Sequence, residues 1–254
     1  MRRFLGPGGR SWIAYRIAGP MVVALGDPAG LQSEWPGLRE AFERWASPRS
    51  VIWYGAAAPL PGRPSWLMGQ AAIVWTEKFG LAGGAMANLR HSVTAAQRRA
   101  LPAVQGPWSS LASSIRSELS EIDAEWRRDH RVRLGFSLSE FEDATVDERS
   151  WLVVASHSRI EAFVTWLPTT DHQGLVLDLM RRRRDAMPGA VELALVEGIA
   201  AARQRGIRWI SLGMSATTGS RLASRFNPPS LRAFKQKFQP DWQDRYLLFS
   251  AGRA

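Results

Sequence analysis

The chain has 254 residues, is 45% hydrophobic and contains no cysteine; it can bury one large core or two smaller ones, and thiol nucleophiles, disulfides and thiolate metal sites are excluded. Lys and Arg outnumber Asp and Glu by 33 to 23, a formal charge of +10, so the surface attracts polyanions such as nucleic-acid phosphates and anionic lipid headgroups, although an arginine-favouring, high-GC genome would leave the same mark. No apolar run approaches the roughly 20 residues of a membrane-spanning helix, and the segment Met1 to Arg10 lacks the apolar centre of a secretory signal, so the chain is read as cytoplasmic.

In chain order, strands are predicted at Trp12–Ile17 and Met21–Leu25, running into Gly26-Asp27-Pro28-Ala29-Gly30. A helix follows with Leu38, Ala41, Phe42 and Trp45 at helical spacing, then a strand at Val51–Tyr54. Pro59 to Gly69 reads as a Pro/Gly-rich loop in which Trp66 is the candidate for an exposed membrane or substrate contact; most other tryptophans read as core. Asn88 to Arg99 is helical in composition, with Arg90, His91, Arg98 and Arg99 available to one broad basic side. Leu101 to Pro107 interrupts both periodicities, which predicts two domains, 1–105 and 106–254, with the basic helix ending the first. A helix carrying Leu111, Ile115, Leu119, Ile122 and Trp126 then opens the second.

Strands are predicted at Trp151–Ala155, Ala162–Pro168 and Leu175–Met180, the last opening into Arg181-Arg182-Arg183-Arg184-Asp185-Ala186-Met187-Pro188-Gly189. The next helix has Val191, Leu195, Ile199 and Ala202 on one stripe and stops at Gly206, before a strand at Trp209–Leu212 that ends in Gly213-Met214. That is a β-α-β unit, and ligands gather at the carboxyl ends of its strands and the amino end of its helix. The two halves repeat one element order without sequence identity.

These residues resemble the cytosolic domain of the bacterial phosphatidylglycerol lysyltransferases and alanyltransferases, the multiple peptide resistance factors. The matching pieces are Asp178-Leu179-Met180-Arg181, Asp185 with Pro188-Gly189, Leu212-Gly213-Met214, and the run Leu231 to Leu247, which contains Phe234-Lys235-Gln236-Lys237-Phe238 and Trp242-Gln243-Asp244-Arg245-Tyr246. Fainter matches are Gly26 to Gly30, Asn88-Leu89-Arg90 and Gly135-Phe136-Ser137-Leu138. The resemblance covers nearly the whole chain. It implies a tandem pair of acetyltransferase-like (GNAT-like) α/β domains, mixed sheets with flanking helices, that use no acetyl-CoA. The implied activity moves an aminoacyl group, alanine or lysine, from aminoacyl-tRNA to the hydroxyl of phosphatidylglycerol or a related acceptor, at the inner face of the plasma membrane. It also implies a docking surface for the tRNA acceptor stem at Arg90, Arg98 and Arg99, for which a solvated helix face is the rival explanation.

An aminoacyl ester is already activated, so transfer needs orientation, a proton acceptor and positive charge at the developing oxyanion. ATP, metal and other cofactors are not required. Asp178 is expected to hold the donor's ammonium or act as base, with a structural ion pair to Arg181 as the alternative. Arg181 and Arg245 are assigned to the ester carbonyl, a terminal tRNA phosphate or the lipid phosphate. Arg184, Asp185, Gly213, Met214, Lys235, Lys237, Trp242 and Tyr246 complete the expected substrate site, and sequence leaves open which lysine reaches substrate.

One departure from the family is a shortened segment after Gly213-Met214: no acidic residue occurs from Met214 to Gln239. A carboxylate expected near the donor is missing, which fits a small neutral amino acid such as alanine, or loss of activity. The four histidines, His91, His130, His157 and His172, lack metal-ligand spacing, and Ser215 lacks the second glycine of a nucleophile elbow. Two further readings are a CoA-dependent N-acyltransferase, which would want a glycine-rich turn where bulky arginines stand, and a non-catalytic module binding RNA or anionic membrane.

Overall fold

The computed structural model of the chain describes residues 2–129, 140–145, 150–156, 159–216 and 229–250. Gly135 to Leu138, His130, His157 and the stretch from Thr217 to Pro228 lie outside them. The chain divides into two compact units that do not follow chain order: Met1–Ala71 with Met214–Asn227 and Trp242–Ala254, and Ala72–Gly213 with Pro228–Asp241. The fold class is the one expected, mixed sheets with flanking helices.

In the first unit the strands β1 (Arg2–Leu5), β2 (Trp12–Ala18), β3 (Met21–Leu25) and β4 (Ser50–Ala56) lie side by side, followed by β11 (Asp241–Phe249) and the first half of β5 (Ser65–Trp75). The helix α1 (Trp35–Ala46) covers one sheet face. Pro36 sits in its first turn, where a missing N–H costs nothing. Leu38, Phe42 and Ala46 repeat every fourth residue, so they form one stripe, and all three are buried against Ile13, Tyr15, Val22, Val51 and Trp53. Phe42 is the hub, with the rings of Phe4, Tyr15, Trp45 and Trp53 at 5.4–5.7 Å. Pro59 to Gly69 is not all loop: β5 begins at Ser65, so Trp66 stands on a strand.

The second unit orders its strands as β10 (Trp209–Ala216), β9 (Gly174–Arg182), β8 (Ile160–Pro168), β7 (Ser150–Ser156) and β6 (Ala100–Gly106). β10 and β9 are parallel; the β9–β8, β8–β7 and β7–β6 pairs are antiparallel. The segment read as a domain break, Leu101 to Pro107, is mostly β6, an end strand on which prolines are tolerated.

Around this sheet lie α2 (Ala87–Gln97), α3 (Ser113–Asp129), α4 (Phe141–Thr145), α5 (Ala190–Gln204) and α6 (Pro229–Gln236). The crossover from β9 through α5 to β10 is the predicted β-α-β unit. α5 is buried nearly all round, with α2 as well as the sheet against it. Gly198 lets it approach Trp166: a Cβ there would stand 2.7 Å from the indole. α3 covers the other face, packing Leu119 and Ile122 on Phe163 and Leu179.

Candidate functional site

β9 extends past Met180 to Arg182, which changes where its polar residues point. Side chains alternate along a strand, but Trp166 lies opposite Leu177 and Val164 opposite Met180, so β9 carries one extra residue and Asp178 and Arg181, three apart, share the face of Thr165 and Phe163. Asp178 is 7% exposed at mid-strand, not at the strand's end as the sequence suggested. Its Oδ2 lies 3.5 Å from the Thr165 hydroxyl. Thr165 sits where the β8–β9 register slips, and its Oγ1 also accepts the Leu179 amide at 3.0 Å.

Arg181, also 7% exposed, points to α3. Its Nε donates to Asp123 at 3.2 Å, its guanidinium lies 3.6 Å over the Trp126 ring, and Nη1 donates to the Met180 carbonyl. Burial lowers the affinity of this guanidinium for its proton, while Asp123 opposes that effect. Its ion-pair partner is Asp123, and the negative charge of Asp178 acts on it in the same sense. Asp123 also accepts from Arg127.

Sequence reasoning missed Asp123, yet a signal was present. Leu119, Ile122, Asp123 and Trp126 share the i, i+3, i+4, i+7 stripe of α3, and a carboxylate on an apolar stripe needs a buried partner.

Arg183, Arg184 and Asp185 make ion pairs within this unit. Arg183 pairs with Glu118 at 3.1 Å and donates to the Ile160 carbonyl. Arg184 pairs with Asp129, and Asp185 with Arg159 at 3.0 Å. Arg184 and Asp185 are exposed, and these contacts tie the turn after β9 to α3 and β8. Gly189, with φ +87°, begins α5 so close to α2 that a Cβ would meet the Ser92 carbonyl at 2.3 Å.

The two lysines of α6 separate clearly. Lys237 is half-buried and paired with Glu192 at 2.8 Å. Lys235 is only 5% exposed, and burial, aided by Arg232, lowers its pKa to about 8. Its Nζ lies 3.6 Å from where a Cβ on Gly213 would be; Gly213 itself has φ +82° at the end of the second unit's part of β10.

Met214, Trp242, Arg245 and Tyr246 belong to the first unit, where the last three line an open cavity of about 690 Å³ with Gln70, Asp244 and the Ala57–Pro59 turn. Asp244 accepts from Gln70 Nε2 at 2.9 Å and from the Tyr246 hydroxyl at 3.3 Å. Arg245 donates to the Asp244 carbonyl; burial pulls its proton affinity down, and Asp27 and Asp244 push it up. The Gly26 to Gly30 motif fixes the cavity rim, because Asp27 accepts from Arg39 at 2.7 Å and from the Ala57 amide at 2.9 Å. Gly26 and Gly30 both have positive φ, and a Cβ on Gly30 would collide with the Arg10 carbonyl.

α2 lies within the second unit. It buries Leu89, Val93 and Ala96 and leaves Arg90, Arg98 and Arg99 exposed, the last two just past its end. The Arg90 guanidinium donates to the carbonyls of Leu81 and Gly83 at 2.5 and 3.1 Å, closing the loop before the helix.

Mixed sheets, flanking helices and the β9–α5–β10 crossover define an α/β fold. The chain belongs to the phosphatidylglycerol lysyltransferase C-terminal family, whose profile matches residues 2–249. It is 28% identical over 97% of its length to the Rhodococcus opacus lysylphosphatidylglycerol biosynthesis bifunctional protein LysX, and 26% identical over 92% to the Bacillus subtilis phosphatidylglycerol lysyltransferase. It covers 25% and 30% of those relatives. Among solved structures, a C-terminal domain from Agrobacterium fabrum superposes with a TM-score of 0.86 at 28% identity, covering 99% of this chain and 84% of that one. L-PGS from Bacillus licheniformis gives 0.87 at 24%, covering 100% and 85%. No helix among the described residues is long and apolar enough to cross a membrane.

Proposed function

We propose that this chain is an aminoacyltransferase that takes the aminoacyl group of an aminoacyl-tRNA and places it on the hydroxyl of phosphatidylglycerol at a membrane surface. The observation that carries this reading is Asp178, a carboxylate buried in an otherwise apolar stretch of β9. A group desolvated at such cost is placed to hold the donor's ammonium or to take the acceptor hydroxyl's proton. Lys235 is the α6 lysine suited to the site: with a pKa of about 8 it exchanges a proton near working pH. Arg245, beside the first unit's cavity, is assigned to a phosphate or the ester carbonyl, which a guanidinium grips in two places. Arg181 becomes a positioning residue, held by Asp123 and Trp126 and fixing the strand that carries Asp178.

A CoA-dependent reaction is less well supported, because the Ser92 carbonyl sits against Gly189 at the start of α5, where a pyrophosphate would need open amides. Two observations divide on the donor: the absence of carboxylates from Met214 to Gln239 favours alanine, whereas the relatives are named for lysine. The deciding experiment incubates the protein with tRNA charged with labelled amino acids and liposomes containing phosphatidylglycerol, then separates lipid from water-soluble label. Label in the lipid is expected, and its amino acid names the donor; tRNA retained without labelled lipid would overturn the acceptor.

A further inference from the structure

Six large apolar side chains are exposed among the described residues, Leu5, Met21, Leu31, Trp45, Trp66 and Leu67, and all belong to the first unit. Three of them, Leu5, Met21 and Trp66, share the sheet face turned away from α1. Strand register establishes this. Leu5 lies opposite Trp12, Ala18 opposite Met21 and Arg16 opposite Val23. Val23 neighbours Ile52, Ile52 lies opposite Phe249, and the Phe249 ring meets that of Trp66 at 4.9 Å.

The alternate positions Ile13, Tyr15, Val22, Val51, Trp53 and Leu248 form the α1 core and are 7% exposed or less. On the second face, by contrast, Leu5 is 60% and Trp66 66% exposed, and Trp12, Val23, Ile52 and Phe249 are only half-buried. Its charges have one sign. Arg3 stands 4.6 Å over the Trp12 ring, Arg16 is exposed on the same side, and no position of β1 to β4 on this face is acidic.

We propose that this face docks the first unit on an anionic lipid bilayer, deepening the proposed function by naming the surface through which the protein meets its lipid. Indole rings and aliphatic side chains enter the headgroup boundary, while arginines at the rim are drawn by the negative surface potential. The aliphatic share, Leu5, Met21, Val23 and Ile52, offers nucleic-acid bases nothing to stack on. A partner strand is disfavoured as well, because β1 at the sheet's end is four residues long and carries Arg2 and Arg3.

The test uses vesicles of phosphatidylserine and phosphatidylcholine in equal parts, which lack the acceptor headgroup, against phosphatidylcholine alone. The protein should sediment with the anionic vesicles and be released by salt. Arg3→Ala with Arg16→Ala should lower partitioning by roughly 25-fold, at about fivefold per arginine. Trp66→Ser with Leu5→Ser should lower it about tenfold while leaving the salt dependence unchanged.

Equal sedimentation with both vesicles, or a fourfold-substituted protein within twofold of the unsubstituted one, overturns the proposal. So does loss of binding to an RNA oligonucleotide in these variants with vesicle binding intact. Transfer to phosphatidylglycerol dispersed in detergent separates the two readings. The variants should match the unsubstituted protein there; no transfer by either sinks the catalytic reading and leaves the vesicle result standing.

Discussion

The two units treat polarity in opposite ways. Every buried charged residue among the described ones, Asp123, Glu161, Asp178, Arg181 and Lys235, lies in the second unit, whereas the first buries only Ser11 and Ser215 among its polar residues and carries every exposed large apolar side chain. Burying charge costs folding free energy and exposing indole risks aggregation, so each departure calls for a physical reason. In the proposed function the second unit carries the polar chemistry, and the first unit's exposed face makes the outside contact.

The largest effect that tests this contrast is on chemistry. Asp178→Ala should lower the rate of transfer by about 10²–10⁴-fold, the range for a positioned acid or base, with tRNA binding retained; turnover within a few-fold of the unsubstituted protein would strip Asp178 of its role. Arg245→Ala, in the first unit, should also abolish transfer without loosening tRNA, since it is assigned to the reacting end of the donor or to the lipid.

Next in size is stability. Asp123→Ala leaves Arg181 buried without its ion-pair partner and should cost about 3–5 kcal/mol in denaturant unfolding. Removing the hydroxyl of Ser11, equally buried and accepting the Leu31 amide at 3.0 Å, should cost only about 1 kcal/mol. Comparable costs would erase the distinction between the units. The double replacement Asp123→Leu with Arg181→Met should be less damaging than Asp123→Ala alone, because no orphaned charge remains.

This contrast was only partly legible in the sequence. The β9–α5–β10 unit announced itself because Val191, Leu195 and Ile199 keep helical period between two apolar runs bounded by glycine. β5 stayed hidden because Gly69-Gln70-Ala71-Ala72 dilutes its alternation after a Pro/Gly-rich approach, and β6 because its proline reads as a break until the strand is known to lie at the sheet's end. Asp178 and Lys235 were found through the family resemblance. Their surroundings were not, since Arg181 meets Asp123 across 58 residues of chain, and only folding shows the extra residue in β9 that puts Asp178 and Arg181 on one face.

A pH series sharpens the comparison further. Burial lowers the Lys235 pKa from its ordinary 10.5 to about 8, so between these values the unfolded chain binds more protons than the folded one. Stability must then rise with pH across the window from about 8 to 10.5, by at most about 3 kcal/mol, and this rise should vanish in Lys235→Met. If the neutral amine assists proton removal from the acceptor, kcat/KM should climb through pH 8 in the unsubstituted protein and lose that limb in the variant. A stability curve unchanged by Lys235→Met would show that the ammonium is hydrated in solution.

The smallest effects concern the exposed arginines, where the units can be told apart by salt. Arg90→Ala should weaken tRNA binding a few-fold and reduce the salt slope by about one, as for loss of one phosphate contact; it should also cost up to about 1 kcal/mol of stability, because Arg90 closes the loop at Leu81 and Gly83. Arg98→Ala, at an exposed position past the end of α2, should change the slope alike with no loss of stability. Arg3→Ala and Arg16→Ala in the first unit should leave the tRNA slope where it was and change only the salt dependence of vesicle binding. A tRNA slope that falls equally for all four would mean that RNA is drawn by the net charge of +10 as a whole, with α2 no more engaged than the sheet face of the first unit.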